Sequence, residues 1–299
     1  MKPINVLSLF DGMSCGRIAL ERAGIPVNQY YASEIDKHAI KVSKTNWTDV
    51  VHIGDVTKVS YKDGVLHTEN GDFNVSNIDL VIGGSPCQGF SFAGKQLNFD
   101  DTRSRLFFEF VRLLKETKAA NFLLENVVMK QEYQNIITEH LGVAPVIINS
   151  SLVSAQNRKR LYWVSTVIDT LVDKCIVLGD IVDDNETNYR YVDKYKLVNC
   201  KHSLTYMQYD MHGKGHNSQS QRAYFLSGKH GCLDTKAQGT SKILLENNIV
   251  RHTSVAECEK LQTVPVGYTS SVSDSQRYKM LGNGWTVDII AHILKGIKE

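Results

Sequence analysis

The stretch Asp79-Leu80-Val81-Ile82-Gly83-Gly84-Ser85-Pro86-Cys87-Gln88-Gly89 decides the fold. A short aliphatic run breaks into two glycines and a proline, and a cysteine follows. An apolar run of that length, bounded by turn residues, reads as a buried strand. A strand that ends in a tight turn delivers the next side chain to the carboxyl-end rim of a sheet, where open α/β sheets bind their ligands. Cys87 therefore stands where a nucleophile would, held by backbone geometry and exposed. A lone cysteine is commonly a small buried hydrophobe, but the Gly83-Gly84-Ser85-Pro86 lead-in is a poor way to build a core.

Other strand ends repeat the pattern. Ile4 to Leu9 reads as a first strand, and Phe10-Asp11-Gly12-Met13-Ser14-Cys15-Gly16 as a glycine turn. Ile18, Ala19, Leu20 and Ala23 then give a short helical pattern. Such a turn lets a ligand approach the backbone, with helix amides to receive a polar or anionic group. Gly12 and Gly16 do not complete the three-glycine dinucleotide fingerprint, so an ordinary structural turn fits equally well. Tyr30 to Asp36 is a second strand ending in acid. Glu34 has the spacing of a ribose-binding carboxylate, and a solvated turn acid has the same appearance. Val50 to Val56 repeats strand then acid, at Asp55. Tyr61 to Phe73 reads as a surface loop or small hairpin.

Beyond Cys87, residues 89–105 are polar, with Arg103 and Arg105 near the end. They fit a loop closing over a substrate, with Lys95, Arg103 or Arg105 meeting phosphates. Leu106, Phe107, Phe110, Val111, Leu113 and Leu114 carry a helical core stripe. Ala120 to Val127 is an apolar strand terminated by Glu125, which shares the rim with Cys87 if the strands are parallel and is then a candidate general acid. Pro145 to Leu152 is a further strand. Arg158, Lys159 and Arg160 lie between two strand-like runs, so at least one side chain points along the sheet. From Leu178 to about Ile249 the strand–helix rhythm stops, which predicts a smaller lobe of short strands and long loops. Lys201, His202, Tyr206, His212 and Arg222 there suit phosphate and base-edge contacts, as they would an ordinary wet surface. Val255 to Leu261 is helical in pattern. Ile289, Ile290, Ile293 and Leu294 form an apolar face expected to pack on the first domain beside Phe10.

Composition bounds the classes. Of 299 residues, 42% are hydrophobic and 22% charged, with a formal net charge of +2. These are globular values, with no run long enough to span a membrane. The start at Met1-Lys2-Pro3, directly before a strand, leaves no room for a signal peptide and predicts a cytoplasmic protein. Six cysteines without CxxC or Cys/His spacing predict neither disulfides nor a metal site. No apolar patch demands a partner, so a monomer is expected.

In this order the pieces resemble the DNA (cytosine-5-)-methyltransferase family over nearly the whole chain. The motifs are Phe10-Asp11-Gly12 with Gly16, the acids Glu34 and Asp55, Pro86-Cys87-Gln88, Glu125-Asn126-Val127, Gln156 to Arg160, and Gly282-Asn283-Gly284-Trp285-Thr286-Val287. The resemblance implies an α/β, Rossmann-like, S-adenosylmethionine-dependent methyltransferase fold with a mostly parallel sheet, plus a smaller irregular target-recognition lobe. The corresponding boundaries are 1–172 for the catalytic and cofactor domain, 173–250 for the lobe, and 251–299 for a segment returning to the first domain. The implied reaction moves a methyl group from S-adenosyl-L-methionine to C5 of a flipped-out cytosine in a specific double-stranded DNA sequence, through a covalent adduct between cysteine and C6. S-adenosyl-L-homocysteine is the product, with no metal, and a restriction-modification setting in a bacterial or phage-infected cell.

By similarity, Phe10 stacks on the adenine, Glu34 takes the ribose hydroxyls, and Asp55 meets the adenine amino group, flanked by Ile35 and Val56. Backbone from Asp11 through Gly12 to Gly16 holds the methionine part, helped by Trp285 and Thr286. Cys87, Glu125, Arg158 and Arg160 are the implied catalytic set. Gln88, Ser91, Asn126, Arg103 and Arg105 are the implied substrate contacts. Gly284 stands where many members carry serine, and Trp285-Thr286 replaces a bare valine. The lobe is short, and residues 235–240 match the family's threonine-rich element only loosely, so the target sequence is not read. A tRNA-methylating branch shares the cysteine and Glu-Asn-Val, but its Cys-Phe-Thr signature is missing. An idle DNA-binding module is the rival class, and retention of both Cys87 and Glu125 favours an enzyme.

Overall fold

The computed structural model describes residues 1–86, 105–182, 191, 196–198, 206–210, 222–235, 242–246 and 249–297. The chain divides into two units. One comprises Met1–Ile148, Lys159–Thr170 and Ile290–Glu299, the other Asn149–Arg158 and Leu171–Ile289.

The first unit opens with β1 (Ile4–Leu9), α1 (Cys15–Ala23), β2 (Val27–Ser33), α2 (Lys37–Asn46) and β3 (Val50–His52). Gly24 ends α1 in the left-handed conformation, and the Asp36 carboxylate caps α2 by accepting from His38 N–H. A small antiparallel sheet of β4 (Ser60–Lys62), β5 (Val65–Thr68) and β6 (Gly71–Asn74) follows, one strand more than the expected hairpin. Next come β7 (Leu80–Gly84), α3 (Arg105–Thr117), β8 (Asn121–Val127), α4 (Gln131–Leu141), β9 (Val146–Asn149) and β10 (Lys159–Val164). The main sheet has the order β3-β2-β1-β7-β8-β10-β9. From β3 to β8 every ladder is parallel, and β10 is antiparallel to β8. Parallel strands covered on both faces are largely apolar, as Val6, Leu7, Leu9, Leu80, Val81 and Ile82 show by their full burial. Phe107, Phe110 and Leu113 of α3 seat their stripe in the same core as Leu124 and Trp163.

Two strand readings are corrected. Glu125 does not lie beyond its strand, because β8 continues through Glu-Asn-Val, carried by the antiparallel ladder that pairs Tyr162 with Glu125 and Arg160 with Val127. β9 stops at Asn149, whose side chain caps a short 3-10 turn over Ser150–Leu152.

The second unit holds β11 (Lys196–Val198), β12 (Tyr206–Asp210), β13 (Arg222–Phe225), β14 (Lys242–Leu244) and β15 (Val250–His252), in that spatial order. Its ladders are antiparallel except between β13 and β14. α5 (Val255–Leu261) and α6 (Asp274–Asn283) follow, and α7 (Val287–Leu294) closes the described chain. Residues 251–289 were expected with the first domain and group instead with the second unit; the return begins at Ile290. Ile290, Ile293, Leu294 and Ile297 are all buried, and His292 Nε2 donates to Asp169 O at 2.9 Å. Among the described residues no helix is long and apolar enough to cross a membrane, and no His/Cys/Asp/Glu group is arranged to hold a metal.

One buried ion pair anchors the start of α5. Arg251 meets Glu257 through two hydrogen bonds, Nη1 to Oε2 at 2.9 Å and Nη2 to Oε1 at 2.6 Å, with both side chains at most 1% exposed. Glu257 Oε2 also accepts from Ser254 N–H, completing a capping box. Arg251→Met strands that carboxylate in the interior and is expected to cost about 3–5 kcal/mol. The unfolding midpoint in urea checks this, and Arg251→Met with Glu257→Met is expected to recover the larger part.

Candidate active site

The turn after β1 carries three left-handed residues in five, Phe10 (φ 57°), Gly12 (φ 62°) and Ser14 (φ 64°). For the two that are not glycine this conformation costs about 1–2 kcal/mol each, so the surroundings must hold it. Asp11 supplies the hold from below. Its buried Oδ1 accepts from Ser8 Oγ and from the Tyr30 hydroxyl, and its Oδ2 accepts from Ser14 Oγ, all at 2.6 Å. Burial pushes the Asp11 carboxyl up to about 6, against the three hydroxyls that pull it down. Desolvation and the neighbouring Asp11 raise the Tyr30 phenol as well. Ser14 Oγ lies 2.6 Å from Ser43 Oγ, which lies 3.2 Å from His52 Nε2. With the Ser14 proton committed to Asp11, Ser43 donates to Ser14 and His52 Nε2–H to Ser43. Burial, with Lys44 nearby, lowers the His52 pKa, in keeping with that neutral ring. The Asp11 side chain thus faces inward and leaves the turn's upper surface to backbone and Phe10. Gly16 is buried inside α1.

At the end of β2, Glu34 stitches this turn to its neighbour. Oε2 accepts from Gly12 N–H at 2.8 Å, and Oε1 from the amides of Ile35 (2.7 Å) and Asp36 (2.8 Å). Three of about four lone-pair positions on the carboxylate are used. Ile35 is 74% exposed between two acids. At the end of β3, Asp55 Oδ1 caps the next short turn through Thr57 N–H and Thr57 Oγ, both at 2.9 Å, and Val56 is buried.

The other half of the rim comes from β7 and β8. Their parallel register pairs Gly84 with Glu125, which sets the carboxylate level with the strand end that leads into Ser85 and Pro86. Glu125 is buried, and Arg160 Nε lies 3.0 Å from its Oε1. Asn126, also buried, donates from Nδ2 to Ser85 Oγ (3.2 Å) and Ser85 O (3.4 Å), and its Oδ1 accepts from Val127 N–H. The β8 strand therefore grips the turn that follows β7. Cys87, Gln88, Ser91 and Arg103 lie outside the described residues. Arg105 opens α3 and is exposed.

The remaining candidates belong to the second unit. Arg158 is buried, and its guanidinium donates to Cys232 Sγ and to the carbonyls of Leu233, Gly282 and Gly284. That arrangement braces the Gly282-Asn283-Gly284 turn, which no reading of the Arg158-Lys159-Arg160 run foresaw. Thr286 is likewise buried, donating to Gln262 Oε1 and accepting from Ser150 Oγ, both at 2.8 Å. Trp285 beside it is half-buried.

The rim thus gathers backbone amides, an exposed aliphatic side chain, two turn acids and a carboxylate–guanidinium pair along one edge of a parallel sheet. The sequence profile described as C-5 cytosine-specific DNA methylase matches residues 4–299. The chain belongs to that family. Among relatives of this C-5 cytosine-specific DNA methylase, type II methyltransferase M1.ScrFI of Lactococcus lactis subsp. cremoris is 31% identical over 98% of this chain and 78% of its own length. Type II methyltransferase M.NlaX of Neisseria lactamica is 27% identical over 98% of this chain and 96% of its own. A putative DNA modification methyltransferase encoded within an E. coli prophage superposes with a TM-score of 0.69 at 21% identity, covering 98% of each chain, which speaks to the fold.

Residues missed from the sequence are those whose partners are distant in the chain, as for Tyr30 and Ser43, or, like Ser8, near in the chain but turned together only by the fold. Ser8, Tyr30, Ser43 and His52 around Asp11 carried no motif, whereas Ser85 sat in plain view beside Cys87 and only its bond to Asn126 was hidden.

The Asp11 shift has a consequence for stability. Its protonated form is favoured by the fold, so the contribution is complete below about pH 4 and is lost as pH rises through about 6. Urea midpoints measured between those limits are expected to fall for the unaltered chain relative to Asp11→Asn, by of order 3 kcal/mol at most.

Proposed function

We propose that this methylase transfers a methyl group to C5 of a cytosine flipped out of a specific double-stranded DNA sequence, acting as a single chain. The observation that carries the reading is the register that sets Glu125 beside Gly84, three residues ahead of Cys87, within family motifs that span the chain. S-adenosyl-L-methionine, when bound, supplies an electrophilic methyl on a sulfonium and leaves as S-adenosyl-L-homocysteine. The residues of the β1–β3 ends suit that molecule. Glu34 Oε2 retains an acceptor position for a ribose hydroxyl, Phe10 and Ile35 offer apolar surface to the adenine, and Asp55 offers a carboxylate oxygen to its amino group. Thr286, with its hydroxyl spent inside its own unit, serves by packing.

Cytosine C5 is a poor nucleophile. We assign Cys87 to add its thiolate sulfur to C6, with Glu125 delivering a proton to N3 as electron density moves to C5. After C5 has taken the methyl, a base removes the C5 proton, the bond between C6 and sulfur breaks with its electron pair leaving on the Cys87 thiolate, and N3 returns its proton to Glu125. Arg160 orients the Glu125 carboxyl group through Oε1, leaving the other oxygen to carry the proton, and brings positive charge beside the ring oxygen. This role falls to Arg160, since Arg158 is committed to carbonyls of its own unit. Asn126 holds the turn before Cys87 through Ser85, with Gln88, Ser91, Arg103 and Arg105 as DNA contacts. Residues 173–250 read the target. The type II names of the relatives support a restriction-modification setting for this reaction.

Cys87→Ala is expected to abolish incorporation of labelled methyl into DNA while leaving DNA binding by gel shift largely intact; continued incorporation excludes the mechanism. Glu125→Gln is expected to lower kcat by roughly 10²–10⁴ with little change in DNA affinity. Exchanging residues 178–249 for those of a relative is expected to move the methylated site, read by sequencing of 5-methylcytosine, without changing the product.

A further inference from the structure

The insert between β3 and β7 has no part in the reaction as described, yet it reaches the loop that carries Asp55. β3 is the edge strand of the main sheet, so the loop after it has a sheet neighbour on one side only. On that side, Ser33 Oγ donates to Gly54 O at 2.8 Å. On the other, the tip of the β5–β6 hairpin closes in. Asp55 N–H donates to Glu69 Oε1 at 2.8 Å, Asn70 Nδ2 donates to His52 O at 3.0 Å, and Lys58 Nζ meets Glu69 Oε2 at 2.6 Å. The C=O and the N–H of a single peptide unit, between Gly54 and Asp55, are thus each held by a side chain from a different element. A planar peptide pinned at both ends fixes the position of the Asp55 Cα from which the side chain leaves the backbone. Gly54 makes the approach possible, since a Cβ there would lie 2.2 Å from Glu69 Oε1, and its φ of +81° suits glycine. With the backbone held here and Oδ1 held by Thr57, the Asp55 carboxylate is fixed from both sides and Oδ2 is left to a ligand.

We propose that Glu69 is a positioning residue that sets the Asp55 carboxylate for the adenine amino group, and that the β4–β6 sheet is a cofactor-selectivity element. The inference rests on the proposed placement of adenine at Asp55. The full chain and its Asp55→Ala, Glu69→Ala, Asn70→Ala and Asp55→Ala/Glu69→Ala variants are titrated calorimetrically with S-adenosyl-L-homocysteine and with its 6-oxo analogue, S-inosyl-L-homocysteine. KM for S-adenosyl-L-methionine and kcat are measured on the same DNA. Glu69→Ala is expected to raise Kd and KM about tenfold, the scale of a lost charge-assisted hydrogen bond, with kcat at saturating cofactor within about twofold. It is also expected to erase most of the preference for the amino over the oxo base. Asn70→Ala is expected to shift both quantities the same way by about threefold, and it serves alone if Glu69→Ala does not fold. In the Asp55→Ala background, Glu69→Ala is expected to add nothing. Unchanged selectivity in the Glu69 and Asn70 variants, beside a weakened Asp55→Ala, overturns the positioning role and leaves the cofactor reading standing. Additive losses in the double variant overturn it too. An Asp55→Ala chain that binds both ligands as before overturns the cofactor placement and this inference together.

Discussion

The hydrogen-bond ladder that runs β2–β1–β7–β8 is the constraint on which the site depends. It places Leu9 between Ser33 and Gly83, and Gly84 beside Glu125, so three strand ends come level within a residue and Glu125 joins them from two residues short of the end of β8. Parallel strands all finish at the same edge, and the turns they feed must share that edge. Nothing in the turns themselves would bring Gly12 to Glu34 or Ser85 to Asn126. The ladder does so, and the side-chain bonds then tighten what it has aligned. A slip of one residue in the β7–β8 register would turn Glu125 to the opposite face of the sheet.

Two buried carboxylates show how environment separates structure from chemistry along that edge. Asp11 is ringed by three hydroxyls and serves the backbone, holding Phe10 and Ser14 in conformations that would otherwise relax. Glu125 meets a guanidinium carried by the one antiparallel strand next to β8. Residues opposite each other on an antiparallel pair share a face, so Arg160 reaches Glu125 diagonally across the ladder. Two residues earlier in the chain, Arg158 has become a brace for the Gly282–Gly284 turn.

The division of labour among loops follows from the edge position of β3. Central strands have neighbours on both sides to steady the turns they feed, whereas the Gly54–Asp55 turn has one. The inserted three-stranded sheet makes up the difference by offering a carboxylate and an amide from its own hairpin tip. An element that looks like decoration in the strand order is thereby coupled to the row of strand ends.

Much of this was legible in the chain alone. Apolar runs that stop at glycine or acid mark the ends of parallel strands, and the order of Phe10-Asp11-Gly12, Glu34, Asp55, Pro86-Cys87 and Glu125-Asn126-Val127 is enough to name the fold class and the family, because local pattern and turn chemistry are written residue by residue. Which of two neighbouring arginines faces Glu125, that β8 runs on through Glu125, that Thr286 spends its hydroxyl on Gln262, and that Glu69 reaches Asp55 were decided only by the tertiary structure. Each depends on a partner far away in sequence or on strand register, and neither distance nor register is encoded in the composition of the segment itself.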